Sequence, residues 1–219
     1  MHRDFWLERW KKKEIGFHQE NYNEYLIQYG EEFFKSCNFI FVPLCGKTKD
    51  ILWFYHNKKK VAGIELSEIA CKEFFIENQI SYNLIYYNDF IVYVSIDKKI
   101  IIINGDFFQL NKELFEYFEI HIDGIYDRAS LIALPSDLRK KYVEKIFELF
   151  DDKIKYFLIT MEYEPLENSD KEIGPPFSVP EKEIKILFQD KFKLNKVKEK
   201  PIERNNVKNC KEVLYFLEK

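Results

Sequence analysis

Phe39 to Lys47, FIFVPLCGK, carries four residues of strand type into a Pro, a Cys, a single Gly and a Lys, and an apolar stretch with Ile51, Leu52, Trp53 and Tyr55 follows. A glycine in such a turn lets backbone come close to a ligand, and free N–H groups at a helix start can meet it. Glu65 stands 19 residues past Gly46, at the end of a second strand-like run, Val61 to Ile64. A carboxylate leaving a second strand at that distance can take both hydroxyls of a ribose. Ile100 to Ile103 leads likewise into Asn104-Gly105-Asp106, and residues 120–126 into Asp127-Arg128. Each pair alone is a weak signal. Four in succession at strand ends mark the crevice where open α/β sheets bind ligands. With one glycine in the first turn instead of GxGxxG there is little room for a pyrophosphate, so the chemistry points to a nucleoside without phosphates.

These residues need a scaffold of alternating strands and helices. Residues 2–13, HRDFWLERWKKK, read as a short helix with an aromatic face of Phe5, Trp6 and Trp10. Residues 21–34 read as a second helix, with Tyr22, Tyr25, Leu26, Tyr29 and Phe33 at helical spacing. Spacing alone makes the first a helix packed on a sheet edge; a lid is the other reading. A helix is expected to open at Lys47 to Asp50, and Ser67 is the expected N-cap of another running to about residue 78. Three strand-like runs follow, 82–87, 90–95 and 99–103, with a hairpin turn at Asp97-Lys98-Lys99. Residues 120–126 form the next strand, 137–150 a long helix opened by Pro135-Ser136, and 155–161 another strand. A polar loop over 162–179, a helix over 181–188 and strands over 191–197 and 213–217 complete the chain. Alternation up to residue 161 gives an α/β class with a mostly parallel sheet.

Composition excludes several classes. The chain has 219 residues, 46% apolar, with only seven Gly and seven Pro, which suits one well-packed domain and not disorder. With 34 basic against 37 acidic residues there is no basic excess for nucleic acid. Four scattered cysteines, with no CxxC pair, make neither a disulfide framework nor a zinc site. The start lacks the pattern of a secretory signal and no apolar run could span a bilayer, so a cytoplasmic, non-membrane protein is expected.

Six ordered blocks carry a resemblance: FWLERW with IGFHQ (5–10 and 15–19), VPLCGK (42–47), GIELSEIA (63–70), GDFF (105–108), YDRASLIALP (126–135) and GPPFSV (174–179). Over essentially its whole length the chain resembles the thiopurine S-methyltransferase family of S-adenosylmethionine-dependent methyltransferases. The resemblance implies a Rossmann-like, seven-stranded, mostly parallel sheet with helices on both faces and an antiparallel C-terminal strand. It implies a single domain over 1–219, with an N-terminal helical flap (1–34) and a core (35–219). Trp6 and Trp10 then belong to a flap closing over the methyl donor, with Phe17 facing the acceptor. Leu44 and Gly46 form the donor turn, Glu65 takes the ribose, and Gly105 and Asp106 lie beside the adenine. Arg128 is shared between donor and acceptor, and Arg204 is a second acceptor-side arginine.

The implied reaction is methyl transfer to a small thiol, selenol or tellurium acceptor, leaving S-adenosylhomocysteine, by a monomer that uses no metal. A sulfonium methyl and a thiolate need alignment and dryness more than a strong base. Arg128 would act by charge. Asp127 reads either as a catalytic group or as a structural partner of Arg128, and His18 either as a proton acceptor or as a structural histidine. A nicotinamide-dependent oxidoreductase and a non-catalytic nucleoside-binding protein share the fold and stay open.

Overall fold

The computed structural model describes residues 3–150, 153–166 and 173–219. The chain forms two compact units, one ending at Ile125 and the other beginning at Tyr126.

The first unit opens with α1 (Arg3–Lys11) and α2 (Glu24–Phe33), and then alternates. Its elements are β1 (Phe39–Val42), α3 (Asp50–His56), β2 (Lys60–Glu65), α4 (Glu68–Glu77), β3 (Tyr82–Tyr87), β4 (Phe90–Ser95), β5 (Ile100–Asn104), α5 (Lys112–Tyr117) and the start of β6 (Gly124–Arg128). Strand order is β3-β4-β5-β2-β1-β6. β5, β2, β1 and β6 are parallel neighbours, whereas β4 is antiparallel to both β3 and β5. The steps from β1 through α3 to β2, and through α4 toward β5, run one way; α5 returns the chain past β1. Right-handed crossovers therefore set α3 and α4 on one face and α5 on the other. All four residues of β1 are buried, as a strand covered on both faces requires.

Local chemistry fixes the ends. Asn23 caps α2 by accepting the Tyr25 and Leu26 amides, while its own N–H donates to Asp50 Oδ1 at 2.8 Å. Ser67 caps α4 as its position predicts. Asp123 accepts the Asn38 and Phe39 amides, so residues 120–123 serve as a clamp on β1 and the strand begins only at Gly124. A side chain at Gly124 would meet Ile40 and Phe34, which explains the glycine at that close approach. The register pairs Glu65 with Asn104, so these two strand ends lie side by side.

The second unit holds the rest of β6, α6 (Ser136–Leu149), β7 (Lys155–Pro165), α7 (Glu181–Phe188), β8 (Lys193–Pro201) and β9 (Val207–Glu218). Strand order is β6-β7-β9-β8, with β9 antiparallel to both β7 and β8. β7 runs on to Pro165 through a bulge at Glu162/Glu164, so the first part of the expected loop is strand; residues 167–172 of that loop lie outside the described residues, as does residue 2 of the expected first helix.

The described residues contain nine strands, where the resemblance implies seven. Antiparallel strands extend both ends, through the β3–β4 hairpin and through β8 as well as β9. Within β3–β4 and within β8–β9 the two strands are too closely spaced for an intervening helix, so each pair forms a hairpin, and β9 then pairs with β7 across α7 and β8. The outermost strands are unlike: β3 reads YNLIYY, with Leu84 and Tyr86 exposed, and β8 reads KLNKVKEKP, with a bulge at Lys196/Lys198. Among the described residues no helix is long and apolar enough to cross a membrane.

Candidate active site

In the first unit the turn after β1 is built from strained backbone. Leu44 has φ 42° and Gly46 φ 54°, the left-handed region that a non-glycine residue rarely enters. Gly46 N–H donates to Glu65 Oε2 at 2.8 Å and Ser67 N–H to Oε1 at 2.7 Å, so one carboxylate ties the ends of β1 and β2 together. Asn104 Nδ2 donates to the carbonyls of Glu65 and Leu66, both at 3.0 Å, and Gly105 N–H donates to Glu65 O at 3.0 Å. Glu65 is 6% exposed. Burial pushes its pKa up to about 7, against the pull of the Ser67, Gly46 and Leu66 amides.

Trp10, buried, covers this turn. A Cβ on Gly46 would lie 3.2 Å from Trp10 Cζ2 and press the indole outward by a few tenths of an ångström. Phe17 meets both Trp10 and Trp6 edge to face, with ring centroids 5.6 and 5.5 Å apart. Trp6, Trp10, Phe17, Gly46 and Glu65 are thus one neighbourhood. Asp106 spends its carboxylate on the Phe108 amide at 2.9 Å, as the cap of a one-turn helix. A side chain on Gly105 would strike the Phe90 ring.

Lys47, beside the turn, was not singled out as a site residue. Lys47, 8% exposed, donates to Glu73 at 2.7 Å and Glu77 at 2.6 Å, bracing the turn on α4. Their i,i+4 spacing in α4 was the available signal. Cys45 is buried, and burial first and Glu65 second push its thiol far up, so it is no nucleophile. His18 is held below its usual pKa by burial and by Lys47, with Glu20 3.8 Å away, so it is neutral at physiological pH.

The second unit carries the other candidates. Asp127 is 0% exposed, and its Oδ2 accepts the hydroxyls of Tyr142 and Tyr156, both at 2.6 Å. No hydrogen bond or ion pair joins it to Arg128, so the Asp–Arg partnership read from adjacency is not formed. Arg128 is half-buried and its side chain makes no hydrogen bond or ion pair among the described residues. Arg204 donates to Pro176 O at 2.7 Å and lies over the Tyr163 ring, 4.6 Å from its centroid. Arg139, unanticipated, is 1% exposed and binds both Glu183 oxygens at 2.8–2.9 Å and Leu134 O at 2.9 Å, fixing the start of α7 to α6. An isolated Arg in a Lys-rich helix gave no sign of burial.

Residues 1–219 match the family model described as Thiopurine S-methyltransferase. A thiopurine S-methyltransferase of Marinobacter nauticus is 37% identical over 207 residues, 94% of this chain and 90% of that protein. One from Nitrosospira multiformis is 38% identical over 189 residues, 86% of this chain and 81% of that protein. Among solved structures, the 1,6-didemethyltoxoflavin-N1-methyltransferase of Burkholderia thailandensis, with S-adenosylhomocysteine bound, superposes with TM-score 0.60 at 11% identity, covering 99% of this chain and 86% of that one. An S-adenosylmethionine-dependent methyltransferase of Anabaena variabilis gives 0.62 at 15% identity, covering 99% and 94%. At such identities the two structures speak to the fold alone.

Proposed function

The chain belongs to the thiopurine S-methyltransferase family, whose methyl donor is S-adenosylmethionine, and on that premise we propose that it methylates the sulfur, selenium or tellurium of a small acceptor. The observation that carries the donor half is the Glu65 carboxylate, anchored by two backbone amides beneath Trp10. Each of its oxygens keeps a lone pair for a hydroxyl donor, so the residues present fit a ribose. The Cβ-less Gly46 fits close approach of backbone to a ligand.

S-Adenosylmethionine, when bound, supplies an electrophilic methyl group on a positively charged sulfur. Glu65 holds the sugar, Leu44 and Gly46 line the turn beside it, and Gly105 and Asp106 flank the base. Trp6, Trp10 and Phe17 exclude water, with Phe17 toward the acceptor, as a flap of residues 1–34 on a single domain. Arg128 and Arg204 favour an anionic acceptor by charge. An S–H or Se–H acceptor would give its proton to solvent on binding, and the two guanidiniums would hold the resulting thiolate or selenolate toward the methyl group that the donor would supply, with S-adenosylhomocysteine as the other product. The unpaired state of Arg128 supports this role, since it leaves all five N–H donors for a ligand. The enzyme works as a cytoplasmic monomer, without nucleic acid or membrane.

Calorimetry with S-adenosylhomocysteine and with NAD, followed by a donor-dependent screen of aromatic thiols, selenols and tellurite with product identification, tests the reading. Binding of the sulfur nucleoside and methylated chalcogen products are expected. Binding of NAD alone would return the oxidoreductase reading, and products methylated only on oxygen or nitrogen would refute the acceptor class.

A further inference from the structure

Asp127 sits in strand β6 immediately before Arg128, yet its carboxylate faces away from any exchange with solvent. The two short bonds from Tyr142 on α6 and Tyr156 on β7 join on one oxygen, Oδ2. The other oxygen accepts the Leu131 amide at 3.4 Å, and the Ser130 hydroxyl also donates to the carboxylate. One buried acid therefore gathers a strand, a helix and the turn that follows β6. Phenol donors to a carboxylate at that distance are among the stronger hydrogen bonds a protein makes. Burial first and the acid second push Tyr142 and Tyr156 well above their usual range, so both stay protonated donors.

The turn so gathered is strained. Ala129, directly after Arg128, has φ 69°, a conformation that residues with a Cβ avoid and that persists only when its surroundings impose it. The Arg128 side chain has no hydrogen bond or ion pair among the described residues to set its place. Its position is inherited from the backbone on either side, and the Asp127 carboxylate reaches across that backbone to Ser130 and Leu131.

We propose that Asp127, held by Tyr142 and Tyr156, is the positioning residue of Arg128: it acts neither as acid nor as base, but keeps the strained 128–131 turn in the form that presents the guanidinium to an anionic acceptor. The inference rests on the acceptor-side role given to Arg128 above.

The test is a double-mutant cycle, which isolates action through a partner from a general loss of fold. Tyr142→Phe, Tyr156→Phe and Asp127→Asn are made in the wild-type and in the Arg128→Ala background. Activity is read with the acceptor that turns over fastest in the screen, donor-product affinity by calorimetry, and folding by thermal denaturation. Either Tyr→Phe change is expected to lower kcat/KM for the acceptor by about tenfold, mainly through KM, with nucleoside affinity within about twofold of wild type. In the Arg128→Ala background the same changes should alter kcat/KM by less than about twofold. Asp127→Asn should show the larger version of this pattern; where it does not fold, the two Tyr→Phe variants carry the test. Equal losses in both backgrounds, or wild-type kinetics in the folded Tyr→Phe variants, would overturn the inference while leaving Arg128 in its role. Wild-type activity in Arg128→Ala alone would overturn that role and the inference together.

Discussion

Donor binding should be coupled to a proton through Glu65. The carboxyl is buried and its pKa stands at about 7, against an ordinary 4.5. Ribose hydroxyls donating to it favour the ionised form, so occupancy lowers the pKa and affinity rises with pH. If binding returns the group to its ordinary value, affinity for S-adenosylhomocysteine should improve about tenfold between about pH 6 and pH 8, or about 1.4 kcal/mol, one pKa unit's worth. Near neutrality about half a proton should be released per molecule bound. Calorimetry in two buffers of different ionisation enthalpy measures this directly. Glu65→Gln should bind more weakly by roughly 1.5–3 kcal/mol and should lose the slope, which separates Glu65 from any titration of the ligand. Stability runs the other way: the folded-state pKa is raised, so the contribution is present below about 4.5 and lost as pH rises through about 7. A flat affinity profile in the wild type, or the same slope in Glu65→Gln, would refute the reasoning.

Gly46→Ala forces a Cβ to 3.2 Å from Trp10 at φ 54°, so it should cost about 1–2 kcal/mol in backbone strain and weaken nucleoside binding; unchanged tryptophan fluorescence and affinity would contradict it. Arg139→Met strands Glu183 and the Leu134 carbonyl. Because the Glu183 side chain is 27% exposed, the expected loss in urea unfolding is about 2–4 kcal/mol, below that for a fully enclosed pair. Amide exchange over residues 3–20 should slow when S-adenosylhomocysteine is added; equal protection with and without it would make the aromatics of α1 plain packing residues.

The pairing of Gly46 with Glu65 was readable because its chemistry is local: a glycine after a buried strand and a carboxylate 19 residues on need no long-range knowledge. The same holds for Ser67, whose capping position follows from its place before an apolar helix. The hairpins were legible as runs, since turn residues such as Asp97 and Lys98 punctuate them. The sequence resemblance, which implied seven strands, could not add the edges, because edge strands vary with loop length. What stayed hidden depends on distance along the chain. Nothing near Asp127 announces that Tyr142 and Tyr156 converge on it. Adjacency suggested Arg128 as its partner, yet neighbours in a strand point to opposite faces, and that geometry sent the two side chains apart. Arg139 was hidden for the converse reason: a charged residue in a Lys-rich helix reads as surface until its partner, 44 residues away, is known.

The unlike outer strands bear on how the protein behaves in a crowded solution. β8 is guarded at its free edge by lysines, a bulge and a terminal proline, each of which discourages another chain from adding a strand. β3 has no such guard: four of its six residues, three Tyr and one Ile, are strong strand formers and none is charged, with Leu84 and Tyr86 outward. Self-association at high concentration should therefore begin at β3 and spare β8. Tyr86→Lys, at an exposed position, should raise the concentration at which light scattering first reports association, at little cost to the fold.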